Sequence, residues 1–324
     1  MTVVVSGGAG FIGTNLVARL LADGVRVVAI DNFLRGARAN LVDVLGHPAF
    51  DLIEADLADP VACANAFDAA VAKAGNIDAV WHLAANSDIA AGTSDPRIDL
   101  RHSFLTTFEI LLQMRRLRIP RLLFASSSAV YGDHGDAELA EDVGPFFPVS
   151  NYGAMKLASE AQASAATEAF LAQVIHFRFP NVIGVPATHG VLVDFITRLK
   201  AEPGVLRVLG DGTQRKPYLH VSELLDAMFI ADAKATAKVS AFNIGPVDDG
   251  ATVKWIAEQV VARVSPGARI EYGAGNKGWL GDVSRFSYST ARIAGLGWSP
   301  RFGSHAALTR AIDEIARAAG FEGL

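Results

Sequence analysis

Short stretches that are largely apolar from end to end recur through the first half of the chain. They read TVVVS (2–6), RVVAID (26–31), LIEAD (52–56), AVWHLAA (79–85), RLLFASSS (121–128) and QVIHFRFPNVIG (173–184). β-Branched residues dominate the first, and glycines follow it, which predicts a buried strand. Between them lie helix-sized segments: FIGTNLVARLL (11–21), 60–74, 103–117 and 152–172. Strands without a polar face belong in a sheet covered by helices on both sides. The alternation predicts an α/β fold with a doubly wound parallel sheet and right-handed crossovers.

After residue 184 the rhythm loosens. Residues 197–221 hold short extended pieces divided by Pro and Gly. A helix at 222–235 and a strand at SAFNIG (240–245) read as a return to the large sheet. Helices at 252–264 and 304–318 flank a glycine-rich stretch at 273–281. The expected division is a large domain over 1–180, with 222–262 returning to it, and a smaller C-terminal lobe from 181–221 and 263–324.

Composition narrows the class. With 51% apolar and 19% charged residues, the 324-residue chain is no disordered segment. A net charge of −5 implies no broad cationic surface, so no nucleic-acid partner is expected. Cys63 is the one cysteine, which excludes an internal disulfide and favours a reducing compartment. The N-terminal residues lack a secretory pattern, and no apolar run reaches the ~18 residues of a membrane span. A cytoplasmic protein with no membrane partner is the expectation.

The sequence GGAGFIG (7–13) adds chemistry. Gly8, Gly10 and Gly13 satisfy Gly-x-Gly-x-x-Gly, and Gly7, Gly10 and Gly13 give a second glycine spacing. The motif sits between a predicted strand and a helix opening at Phe11 and Ile12, the context it requires. Early glycines let backbone amides approach a pyrophosphate, the helix dipole complements it, and Gly13 lets helix and strand come close. This makes the large domain Rossmann-type. Asp31 ends the second strand 18 residues after Gly13, where a carboxylate accepts bonds from ribose hydroxyls and repels a 2′-phosphate. NAD is therefore favoured, with Arg35 and Arg38 leaving NADP as the alternative. Asp31 as a simple cap for the turn at Asn32 is the bland alternative. Asp56 and Leu57 follow the third strand, where an aspartate can meet an adenine amino group or be an ordinary loop acid.

Ser126, Ser127 and Ser128 close another strand, and Tyr152 and Lys156 form Tyr-x-x-x-Lys. The four-residue spacing puts tyrosine and lysine on one helical face. A nearby ammonium stabilises phenolate and lowers the tyrosine pKa, making a proton acceptor, while a serine hydroxyl bridges the substrate oxygen. Alone, the motif is more often a solvated surface pattern. After a glycine loop, a strand-ending acid and a serine run, it points to catalysis.

These motifs resemble those of the extended short-chain dehydrogenase/reductases, in the NAD-dependent nucleotide-sugar epimerase/dehydratase family. The resemblance runs through GGAGFIG, DNF, ADL, HLAA (82–85), SSSAVYG (126–132), NYGAMK, FRFPNVIG, GDGTQRKPYLHV (210–221), GDV (281–283) and LGWSP (296–300). It implies catalytic roles for Ser127, Tyr152 and Lys156. It places Leu83, Ala84, Ala85, Ser103 and Phe179 beside the cofactor, with Ser103 replacing a common asparagine. Ser128, Asn181, Lys216 and Trp279 fall on the substrate side, in a substrate-binding lobe. Lys216 and Trp279 stand where diphosphate-binding arginines are usual, and His220 replaces a tyrosine. The resemblance also implies a homodimer built on segments near 103–118 and 153–172.

The implied reaction begins with oxidation at a sugar C4 hydroxyl. Dehydratases of the family carry Asp-Glu after the catalytic hydroxyl residue, and decarboxylases carry a glutamate at the second of those positions. Here they are Ser128 and Ala129, which disfavours both. The expected activity is a nucleotide-sugar 4-epimerase interconverting UDP-glucose and UDP-galactose through a 4-keto intermediate. The alternatives are epimerisation of a UDP-N-acetylhexosamine or UDP-glucuronate, a nucleotide-sugar oxidoreductase, and a non-catalytic binding protein. No metal site is expected, since the histidines lack ligand spacing.

Overall fold

The computed structural model describes residues 1–135, 137–275 and 287–321. The first stretch alternates strand and helix: β1 (Thr2–Ser6), α1 (Phe11–Ala22), β2 (Arg26–Asp31), β3 (Phe50–Glu54), α2 (Pro60–Ala74) and β4 (Ala79–His82). There follow α3 (Ile89–Ser94), α4 (Pro96–Asp99), a π-helical turn at Leu100–Leu105, α5 (Thr106–Leu117) and β5 (Arg121–Ala125). Next are β6 (Glu138–Leu139), α6 (Asn151–Ala169), β7 (Gln173–Arg178), β8 (Asn181–Ile183), α7 (Val191–Ala201), β9 (Val205–Val208), β10 (Arg215–Lys216) and β11 (Tyr218–His220). The remainder holds α8 (Val221–Lys234), β12 (Val239–Asn243), β13 (Ala251–Thr252), α9 (Val253–Val264), β14 (Arg269–Tyr272), β15 (Ser287–Tyr288), α10 (Ala291–Gly295) and α11 (Ser304–Ala318).

Two compact units emerge. The first comprises 1–132, 143–178 and 228–242; the second comprises 133–142, 179–227 and 243–324. The first is built on a seven-stranded sheet ordered β12-β7-β5-β4-β1-β2-β3. From β3 across to β7 the pairings are parallel. The order reverses between β1 and β4, and ligands of open α/β sheets sit at the carboxyl ends of strands at such a switch point. This is the Rossmann-like fold the alternation predicts. Val4, Val28, Ile30, Val80, Leu122, Phe124 and Val174 fill the sheet side of one core, with Phe67, Ile110 and Met114 brought from helices. Trp81 packs on Phe177 at 6.2 Å and on Phe229 at 5.6 Å between ring centres.

Local chemistry sets the boundaries. Asp59 caps α2 by accepting from the Val61 and Ala62 amides, and Pro60 follows at the first helical position, where its missing N–H costs nothing. The expected single strand over 173–184 is two strands. Pro180 has no amide to give a ladder, so β7 ends at Arg178 and β8 pairs with β11 in the second unit.

The second unit has its own core. Leu192, Phe195, Ile196 and Leu199 of α7 meet Ile256, Val260 and Val264 of α9 and Leu308, Ile312 and Ile315 of α11. Short parallel pairs β9–β14, β8–β11 and β6–β15 and the antiparallel pair β10–β13 complete it. Here the structure corrects an expectation: α9 belongs to this core, so of the residues 222–262 expected to return to the large domain only 228–242 group with it. No helix among the described residues is long and apolar enough to cross a membrane.

Candidate active site

The glycine loop joins β1 to α1 at the switch point. Gly7 has φ +71, and a β-carbon there would lie 2.7 Å from the Ala84 amide nitrogen, so β1 and β4 run out side by side only because Gly7 has none. A β-carbon on Gly13 would lie 2.0 Å from the Gly7 carbonyl oxygen, which is the close helix–loop approach the motif predicts. Gly10 caps α1 without a side chain, so the amides of the first turn, at Phe11, Ile12 and Gly13, face outward for an acceptor from elsewhere.

Asp31 sits beneath this loop. Its Oδ2 accepts from the Ala9 amide at 2.9 Å and its Oδ1 from the Phe33 amide at 2.8 Å. Burial pushes its pKa up, against the pull of those amides. The acid thus braces the glycine loop and caps its own turn, with the Asn32 and Gly10 amides also drawing on the carboxylate. Asn32 is exposed and accepts from the Leu34 amide at 3.0 Å. Arg35 pairs with Asp88 at 3.3 Å.

Asp56, Leu57, Leu83, Ala84, Ala85 and Ser103 belong to the first unit. Asp56 accepts from Arg101 Nη2 at 2.7 Å and from the Ala58 amide. Burial works to raise its pKa, but the Arg101 bond and charge prevail and hold it low. Leu57 is buried. Leu83, Ala84 and Ala85 follow β4, with the Leu83 amide on the Ser6 carbonyl at 3.1 Å. Ser103 lies in the π-helical turn, buried, with its hydroxyl unpartnered. First-turn amides without intrahelical acceptors and an acid at the end of β2 fit a dinucleotide.

Ser127 caps the turn Ser128–Val130, its hydroxyl accepting from the Ala129 amide at 3.1 Å. The side chains of Ser127 and Tyr152 are hydrogen-bonded. The two meet because the start of α6 lies on this turn: a β-carbon on Gly153 would sit 2.4 Å from the Ala129 carbonyl oxygen. Lys156 is buried, donates to the Ala125 carbonyl at 2.7 Å, and lies 4.8 Å from the Phe124 ring centre and 5.9 Å from that of Tyr152. Burial pushes Lys156 down to about 7, with Glu160 and Asp99 holding it up. Tyr152 is pushed up to about 12, by burial first and then Asp99, against the Ser127 bond. The expected fall in the tyrosine pKa is therefore not delivered by the polypeptide: removal of the phenolate from water outweighs the Ser127 bond.

Three supporting groups escape sequence reading. Glu160, one turn beyond Lys156, binds Ser126 Oγ and Arg178, and Arg178 Nη1 donates to the Tyr131 hydroxyl at 3.0 Å. His82 bridges Ser6 Oγ at 2.7 Å and Thr107 Oγ1 at 2.9 Å, and burial, with Lys156 adding to it, keeps it neutral. Asp99 is buried and accepts from Asn86 Nδ2 at 2.8 Å. The spacing of Glu160 from Lys156 is the one local signal among them.

Phe179, Asn181 and Lys216 belong to the second unit. Asn181 opens β8, its Nδ2 donating to the Pro217 carbonyl at 3.4 Å. Lys216 lies in β10 opposite Ala251. His220 bridges Ser222 and Glu314 at 2.8 and 3.0 Å, a satisfied internal histidine. Trp279 lies outside the described residues. No cluster that could hold a metal occurs among the described residues.

Residues 3–245 match the NAD dependent epimerase/dehydratase family. The chain is similar to the UDP-glucose 4-epimerase of Lacticaseibacillus casei, 30% identical over 322 residues that cover 93% of this chain and 92% of that one. It is also similar to UDP-glucuronic acid decarboxylase 1 of Arabidopsis thaliana, 27% identical over 281 residues, spanning 84% of this chain but 60% of that protein. Among solved structures, the UDP-glucose 4-epimerase of Thermus thermophilus in complex with NAD has TM-score 0.83 at 27% identity, covering 98% of this chain and 100% of that one.

Proposed function

The chain belongs to the NAD-dependent epimerase/dehydratase family, and we propose that it is a 4-epimerase interconverting UDP-glucose and UDP-galactose through a 4-keto sugar. The observation that carries this reading is the Ser127–Tyr152 hydrogen bond beside Lys156, with Ser128 and Ala129 in the turn that follows. The first three residues suit proton transfer at a sugar hydroxyl. The last two provide no carboxyl for elimination or decarboxylation.

NAD held by the first-turn amides of α1, Asp31, Asp56 and the Leu83–Ala85 strand end would supply a hydride acceptor and a positive ring that favours the phenolate. Tyr152 Oη takes the proton of the C4 hydroxyl as the C4–H bond breaks. Ser127 Oγ, bonded to Tyr152, shares that proton and fixes the C4 oxygen. Lys156 stabilises the phenolate through space. Once the keto sugar has turned its other face, Tyr152 gives the proton back to the C4 oxygen, so the reaction as a whole would involve no net oxidation. Asn181 and Lys216 are read as diphosphate contacts, with Trp279 beside the nucleotide. A homodimer through α5 and α6 is read from the family resemblance, and a groove of about 310 Å³ between them, lined by Phe108, Leu111, Leu112 and Phe170 together with Arg115 and Gln162, supports it.

The test is conversion without added cofactor. Purified protein is incubated separately with UDP-galactose, UDP-N-acetylglucosamine and UDP-glucuronate, and the C4 epimers are separated by chromatography. UDP-galactose should approach equilibrium with UDP-glucose. Conversion of another sugar instead reassigns the substrate. No conversion of any, even with NAD supplied, overturns the epimerase reading in favour of net redox chemistry or binding.

A further inference from the structure

His82 closes β4, and a run of hydrogen bonds passes through its ring. Ser6, the last residue of β1, has its Oγ 2.7 Å from His82 Nδ1, and the Ala84 amide donates to that same Oγ at 3.4 Å. On the other edge, His82 Nε2 lies 2.9 Å from Thr107 Oγ1, and the Thr107 hydroxyl donates to the Ser103 carbonyl at 2.9 Å. Ser6, His82, Ser103 and Thr107 are all buried. A hydroxyl has one proton to donate, which assigns donor and acceptor along the run. Thr107 gives its proton to Ser103, so it accepts from His82, and the ring hydrogen sits on Nε2. Burial keeps the ring neutral, so Nδ1 is bare and accepts the Ser6 hydroxyl proton. Ser6 Oγ then has a lone pair for the Ala84 amide. The opposite tautomer would turn two donors, His82 and Ala84, onto Ser6 Oγ. It would leave the Ser6 hydroxyl proton with no acceptor among the described residues, which is costly in a buried site.

We infer that His82, as its Nε2–H tautomer, is a positioning residue that holds the strand end at Ala84 and the π-helical turn at Ser103 in place beside the glycine loop. The inference rests on the cofactor roles read above for Ala84, Ser103 and the first-turn amides of α1. The glycine loop begins at Gly7, directly after Ser6, and a β-carbon on Gly7 would lie 2.7 Å from the Ala84 amide nitrogen. Ser6 also accepts the Leu83 amide on its carbonyl at 3.1 Å. A shift at Ser6 is therefore felt at once by the loop and by the end of β4. At the other end, Thr107 stands in the first turn of α5, and its bond to Ser103 ties that helix to the π-helical turn. The His82 ring meets Phe124 at 5.4 Å between centres, which restrains its plane. An imidazole suits this post because a rigid ring presents an acceptor and a donor on two edges. An apolar side chain of similar size would strand the buried Ser6 hydroxyl.

Two measurements on the full chain test this. Protein labelled with ¹⁵N at histidine is read by ¹H–¹⁵N correlation across the ring, with His82→Gln identifying the resonances. Wild type should show a protonated Nε2 and a bare Nδ1; a hydrogen on Nδ1 overturns the inference. Thr107→Val removes the acceptor, so the ring hydrogen should move to Nδ1, and the NAD dissociation constant from calorimetry should rise about fivefold, the scale of one lost hydrogen bond. Thr107→Ser restores the hydroxyl and should return both readings toward wild type. Ser6→Ala cuts the run at its other end. It should leave the hydrogen on Nε2 and weaken NAD binding by a similar factor, which keeps the test open should Thr107→Val fail to fold. Unchanged NAD affinity in either folded variant overturns the positioning role. A merely structural role would lower the melting temperature without linking affinity to the tautomer. The NMR reading needs no NAD. Absence of NAD binding by the wild type would overturn the cofactor reading, and this role with it, whereas a wrong tautomer would overturn this role alone.

Discussion

Arg178 and Glu160 meet as a two-armed ion pair inside the first unit, with Nη2 to Oε2 at 2.6 Å and Nε to Oε1 at 2.9 Å. The pair joins the end of β7 to the helix that carries Tyr152 and Lys156. Removing Arg178 takes the guanidinium partner from the buried Glu160 carboxylate. Arg178→Met should lower unfolding stability by about 3–5 kcal/mol, read from urea denaturation. Adding Glu160→Leu to that variant should recover part of the loss, because the stranded carboxylate is then gone too.

Tyr152→Phe removes the proposed proton acceptor and leaves the ring. Turnover should fall by about 10²- to 10⁴-fold, the usual contribution of a positioned acid–base group. NAD binding, measured by calorimetry, should stay within a few-fold of wild type. Unchanged turnover would dismiss Tyr152 as the base.

Asp31→Ala should weaken NAD binding by about tenfold or more, the scale of lost hydrogen bonds to a charged group. Asp31 also braces the Ala9 amide, so Asp31→Asn, which retains an acceptor oxygen, should lose less. Equal dissociation constants for all three proteins would reduce Asp31 to a loop cap.

Lys216→Ala should raise the dissociation constant for UDP-galactose while leaving that for NAD alone. Isothermal titration with each ligand separates the two. A change in NAD affinity alone would place the diphosphate contact on other cations.

His176 is buried beside Ser164 and held near pKa 4, by burial first. Its unfolded form titrates near the ordinary 6.5, as does that of neutral His82. Between those values the unfolded chain binds more protons than the folded one, so stability must fall as pH drops below about 6.5. The melting temperature should decline from pH 7 to pH 5, and His176→Gln should flatten part of that slope.

Much of this was legible in the sequence where the signal is local. The strands β1 and β2, the helices α2 and α11, the glycine loop and the Tyr152–Lys156 spacing all rest on neighbours within a few residues. The π-helical turn ahead of α5 has no such mark, since LRHSFL carries an ordinary helical pattern. An apolar stripe shows that α9 buries Ile256 and Val260, but not which core receives it. The contacts of Glu160 with Arg178 and of Asp99 with Asn86 depend on the fold bringing separate elements together. The Tyr152 pKa departs from what the motif suggests for a related reason: the lysine is visible in the motif, whereas the loss of water around the phenol is a property of the packed site.

The first unit is assembled from three pieces of chain, and its last strand, β12, enters only after residue 238. During synthesis the ribosome therefore releases β1 through β7 well before the edge beside β7 can be occupied. Until then that edge presents unpaired backbone groups, the feature that invites wrong pairing in partly made sheets. A fragment cut after Arg178 would keep the glycine loop, Tyr152 and Lys156 yet carry the same open edge permanently, and should be recovered as aggregate. Adding back residues 179–242 supplies the missing strand but leaves the second core without α9 and α11, so neither unit is a natural truncation product.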